Sequence, residues 1–89
     1  MKRIRNSAAI REAKRIRCQH CCGTYGLQVH HIVSLSLRGD DLAMNLITLC
    51  ASCHQAAHLR RTPRAELWRC LGIEPEEWQA YLREKGMKL

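Results

Sequence analysis

Phenylalanine is absent from this chain of 89 residues, and two Trp and two Tyr are its only aromatics. So few large apolar side chains build little core, and domains with fewer than about 70–80 structured residues usually rely on a metal or on cross-links. No apolar run approaches the roughly 18 residues of a membrane span. Residues 1–17 also hold no continuous hydrophobic segment of the secretory kind, so the expectation is a cytoplasmic address and no membrane partner. The chain has room for one compact domain and none for a second lobe. With 46% hydrophobic and 26% charged residues, disorder and low-complexity polymer are excluded as well.

Against these absences stand six Cys and five His. Disulfides are rare in a reducing compartment, where closely spaced Cys pairs more often hold a metal, so the cysteines read as ligands before bridges.

Charge is distributed unevenly within the total of +7. Residues 1–17 carry Lys2, Arg3, Arg5, Arg11, Lys14, Arg15 and Arg17 against Glu12 alone, whereas residues 18–58 carry only Arg38 against Asp40 and Asp41. A basic arm of this kind suits a polyanion, because each neutralised phosphate releases condensed counterions without any readout of sequence. Nucleic acid is therefore the expected partner ahead of a membrane surface, with Arg11, Lys14, Arg15 and Arg17 on its phosphates. The competing reading is a solvated helical face that serves solubility.

Capping and periodicity predict a helix over residues 7–17, capped by Asn6 or Ser7, with Ala9, Ala13 and Ile16 on one side. Residues 27–33 are β-branched enough for a strand, and residues 45–49 form a second. Arg38, Gly39, Asp40 and Asp41 read as a polar turn. Ser52 can cap a helix over residues 53–59; Pro63 opens another that stops at Gly72, and Pro75 opens a last one to Lys85, closed by Gly86. Trp68 and Trp78 read as core rather than as base-stacking groups, and Cys70 as a buried hydrophobe.

Two constellations carry chemistry. Cys18 and Cys21, with Cys50 and Cys53, are matched C-x-x-C pairs able to close a tetrahedral sulfur shell around a structural zinc. Cys22 is an alternative to Cys21 on spacing alone. The second constellation is His30 and His31, then Asn45, then His54 and His58. The last two stand four apart on a helix, so both imidazoles leave one face and can share a metal. Neighbours on a strand point to opposite faces, so His30 and His31 should have different tasks, one ligating and one free.

The runs Leu27-Gln-Val-His-His-Ile-Val33, Gly39-Asp-Asp41, Asn45-Leu-Ile-Thr-Leu-Cys50 and Cys53-His-Gln-Ala-Ala-His58 closely resemble the HNH endonucleases, specifically the small zinc-containing kind with two C-x-x-C pairs. The resemblance implies an α+β fold, a zinc-stabilised, treble-clef-like ββα-metal domain flanked by helices. The resemblance covers residues 18–58, and residues 59–89 carry no motif of the family; the expected division is a basic N-terminal arm (1–17), a zinc-bound nuclease core (18–59) and a C-terminal helical extension packed on that core (60–89). The resemblance further implies His30, His54 and His58 as ligands of one catalytic divalent metal, His31 as general base and Asn45 as the residue that holds the base's loop. An all-imidazole shell favours zinc, nickel or manganese over Mg²⁺, which prefers oxygen. The expected function is metal-dependent hydrolysis of DNA phosphodiesters. The alternative is a zinc-stabilised nucleic-acid-binding module without turnover, which would need the cysteines and the arm but not the histidines.

Overall fold

The computed structural model describes residues 3–88; Met1, Lys2 of the basic arm, and Leu89 lie outside the described residues. The fold is α+β: helix α1 (Ser7–Ala13), an antiparallel ribbon of β1 (Gln28–His31) and β2 (Leu46–Leu49), then α2 (Ala51–His58), α3 (Arg64–Cys70) and α4 (Pro75–Glu84). No helix is long and apolar enough to cross a membrane.

Asn6 starts α1 by accepting the N–H groups of Ala8 and Ala9 on its side chain, which satisfies two donors of the first turn. The helix ends at Ala13 rather than running to residue 17, and the reason lies in β2. The buried Thr48 hydroxyl donates to Ala13 O (3.0 Å) and accepts from Arg15 N–H (2.9 Å), drawing the chain off the helix and along the ribbon. Arg15 and Arg17 are therefore not helical. The segment that follows stays on this edge, with Gln19 N–H donating to Thr48 O and Thr48 N–H to Gln19 Oε1.

In the ribbon, His30 faces Ile47 across the ladder and His31 faces Leu46. β1 is shorter than the expected 27–33 because the Asn45 side chain takes both backbone groups of Val33: Oδ1 accepts its N–H (2.7 Å) and Nδ2 donates to its C=O (3.1 Å). Asn45 itself ends a short 3₁₀ turn, so β2 begins one residue later than expected. α2 starts at Ala51 behind Cys50, two residues before the expected start, without a side-chain cap from Ser52.

Ile32, Val33, Ile47 and Leu49 pack with Leu67 and Trp68 of α3 and Tyr81 and Leu82 of α4 in one cluster. Trp68 is fully buried, donates its indole N–H to Met44 O and stacks on Trp78 with ring centroids 5.2 Å apart, so both indoles belong to the core. Cys70 does not. It is exposed, because α3 buries Leu67 and Trp68 and turns its last residue outward.

The link between β1 and β2 departs furthest from expectation. Asp40 and Asp41 are buried, only 4% and 5% exposed, and each anchors a distant segment. Asp40 pairs with Lys85 (2.7 Å), accepts from the Tyr81 hydroxyl (2.9 Å) and accepts the Ile4 N–H. Asp41 pairs with Arg3 and accepts the Asn6 N–H (2.7 Å). Buried carboxylates demand such partners, since an unpaired one costs several kcal/mol. Between the anchors, a Cβ at Gly39 would stand 1.7 Å from Val33 O, so only glycine fits.

Candidate functional site

The Cys18–Cys21 knuckle is tied by Cys18 N–H to Gly23 O and Cys22 N–H to Cys18 O, while the second pair spans the start of α2. This brings the sulfurs of Cys18, Cys21, Cys50 and Cys53 within 4.8 Å of one another. Cys22 adopts a left-handed backbone (φ 68°), is exposed, and stands outside the cluster. The sulfurs also accept from the backbone, as the N–H groups of His20 and Cys21 do with Cys18 Sγ and that of Gly23 does with Cys21 Sγ. The Ser52 hydroxyl and the Cys53 N–H bring the Cys50 thiol down to about 6, while burial and the neighbouring sulfurs push the Cys53 thiol up. Four thiols so close cannot all ionise without a cation between them, and a closed sulfur quartet is the donor set of structural zinc.

A second cluster forms where β1 crosses α2. His30, His54 and His58 each offer a ring nitrogen within 4.8 Å of the others, and His54 Nε2 lies 3.1 Å from His58 Nε2. Burial, then the charges of His54 and His58, lowers His30 to about 4; burial and His58 lower His54. Both rings are therefore neutral at pH 7, with lone pairs available to a metal. Three imidazoles suit a transition metal better than Mg²⁺.

His31 stands beside this cluster and outside it, with one of its two ring nitrogens engaged. Its Nε2 lies 2.8 Å from Asp41 Oδ1, which leaves Nδ1 without a hydrogen-bond partner among the described residues. Burial works to raise Asp41, but His31, the Asn6 N–H and Arg3 outweigh it and hold the carboxyl below the ordinary range. Asp41 is thus an anion at neutral pH. Asn45, fully buried, also donates from Nδ2 to Asp40 O (3.0 Å), so one side chain fixes both ends of the loop that presents Asp41. Asp41 escaped the sequence reading because an acid after Gly39 looks like a turn. The available signal was an acidic pair in a stretch otherwise almost free of charge.

These four histidines line one cleft of about 710 Å³, which Arg60 and Arg64 also line. Arg11, Lys14, Arg15 and Arg17 are exposed, and none of them lines this cleft. Arg15 folds back instead, donating from Nη1 to Glu12 O. The two cleft arginines lie outside the basic arm, and the net charge of residues 59–89 alone gave no reason to single them out.

Residues 18–60 match the family model of the HNH endonucleases. No curated protein and no solved structure matches the chain.

Proposed function

Residues 18–60 form an HNH endonuclease-family domain, and from that premise we propose that the protein is a metal-dependent DNA endonuclease with His31 as general base. One observation carries the reading: three imidazole nitrogens converge within 4.8 Å in the cleft that also holds His31 against a buried carboxylate. His30, His54 and His58 would hold the catalytic ion; zinc or nickel fits these donors better than manganese or magnesium. Bound there, a divalent ion supplies positive charge to the scissile phosphate and to the departing oxygen.

The remaining steps fall to the chain itself. With Asp41 accepting at Nε2, His31 keeps its proton on that nitrogen and turns the lone pair of Nδ1 toward water. Nδ1 takes the proton of the attacking water as its oxygen bonds to phosphorus and the bond to the leaving sugar oxygen breaks. Asp41 then stabilises the imidazolium, while Asn45 keeps the loop from drifting. Cys18, Cys21, Cys50 and Cys53 hold a structural zinc that stabilises the fold. Arg11, Lys14, Arg15 and Arg17, on an arm spanning residues 1–17, contact DNA phosphates away from the cleft. Residues 18–59 act as the nuclease core and 60–89 as an extension packed against it.

The test is incubation of the zinc-loaded chain with supercoiled plasmid and a panel of divalent metals. Relaxed or linear product that His31→Ala fails to form supports the reading. Inactivity with every metal, alongside retained DNA binding, favours the binding module.

A further inference from the structure

The joint between α2 and α3 and the first residue of α3 line the same cleft as the histidines, and Arg64 lies beyond the family-matched residues. Arg64 is half-buried, and its Nε donates to Ile32 O at 3.1 Å, next to His31 in the chain. That bond fixes the plane of the guanidinium. Among the described residues, its Nη groups meet no acceptor and no carboxylate pairs with it. Among the described residues no Asp or Glu lines the cleft, whereas Arg60 and Lys88 line it along with Arg64. Arg60 holds a left-handed backbone (φ 60°) at the end of α2. The two charges are close enough that Arg60, after burial, lowers the proton affinity of Arg64.

A half-buried cation beside a like charge is costly, and a cleft that also gathers a divalent ion multiplies the excess. An oxyanion relieves it. The planar fork of Arg64, pinned at Nε with both Nη groups open, suits two oxygens of a phosphate better than a point charge would. We propose that Arg64, assisted by Arg60, is a phosphate-binding site for the DNA backbone, supplied by the C-terminal extension to the cleft that holds the histidine cluster. This rests on the endonuclease reading for its ligand, though the site itself does not depend on turnover.

The experiment uses the full chain with zinc at the cysteines. ¹H–¹⁵N spectra follow the Arg64 Nε–H signal, assigned by its loss in Arg64→Lys, during titration first with inorganic phosphate and then with a short DNA duplex. The expected result is a shift of that signal by both. Arg64→Gln should weaken duplex binding about tenfold and lower the log–log salt slope by about 0.9, as for one lost phosphate contact. Arg60→Gln should have a smaller effect and Arg83→Gln, on the exposed face of α4, none. An unmoved wild-type signal overturns the site without recourse to any variant, as does unchanged duplex affinity in a folded Arg64→Gln protein. A response to inorganic phosphate but not to duplex overturns the assignment to the DNA backbone. If the wild type cuts no plasmid with any metal while duplex still moves Arg64, the endonuclease reading fails and the phosphate site stands.

Discussion

His31 and Asp41 are joined side chain to side chain, Nε2 to Oδ1 at 2.8 Å, by a carboxylate that is itself buried and tied to Arg3 and the Asn6 N–H. An acceptor that is held in place and stays ionised favours one tautomer of the neutral imidazole, with the proton facing Asp41 and the lone pair on the opposite nitrogen. His31→Ala should therefore lower plasmid cleavage by roughly 10²–10⁴ while leaving folding and DNA affinity near wild type. His54→Ala should instead lose metal affinity and recover partly in excess metal, a rescue that His31→Ala does not share. Cleavage rates across a metal titration check both.

Cys18→Ser should unfold the domain. A structural zinc site contributes on the order of 10 kcal/mol in small domains, and this core has no phenylalanine to make up the loss. Zinc content by elemental analysis and thermal melting should fall together; a variant that keeps both would reject the quartet as a zinc site.

Gly39→Ala should cost about 3 kcal/mol or more, because the new methyl group meets Val33 O and the loop has no room to yield between Asn45 and its two aspartates. Urea unfolding measures the loss, and a value within about 0.5 kcal/mol of wild type would show that the loop moves freely.

Replacing Arg11, Lys14, Arg15 and Arg17 with Gln leaves Arg3 and Ile4 in place, so it tests the arm without loosening the loop. Each lost phosphate contact should lower the log–log salt slope of DNA binding by about 0.9, with little change in sequence preference. An unaltered slope would make these residues a solubility device.

Acid should weaken the fold in two stages when the histidine site holds no metal. His30 titrates near 4 in the folded chain against 6.5 ordinarily, so the unfolded chain takes up a proton that the folded one refuses. Stability is full above about 6.5 and falls as pH drops toward 4. Below the ordinary carboxylate value of 3.8 a second loss follows, because burial works to raise Asp40 but Lys85, the Ile4 N–H and Tyr81 hold it down. Thermal melts across pH check the order, with His30→Gln shrinking the first stage, to which His54 also contributes, and leaving the second in place.

What the chain discloses in advance is what local spacing encodes. Two C-x-x-C pairs and an H-x-x-x-H helix place their ligands whatever surrounds them, so the cysteine quartet and the His54–His58 pair were legible from spacing, whereas His30 joined them only through the family resemblance; two strands and the core position of both indoles were legible too. Distant partners were not. The end of α1 depends on Thr48, 35 residues beyond Ala13, and Asp41 looks like a turn residue until Arg3 and Asn6 are laid across it. Cys70 shared a helical stripe with Leu67 yet fell on its open margin, which periodicity alone cannot resolve.

The pairing of Asp40 with Lys85 and Tyr81 ties the far end of the chain to the loop that presents Asp41. Every cysteine of the quartet and every histidine of the cleft lies at or before residue 58, yet the carboxylate next to Asp41 is held by Tyr81 of α4 and by Lys85 just after it. A chain cut short before Tyr81 would thus keep every metal ligand and still leave a buried carboxylate without its cation and its hydroxyl.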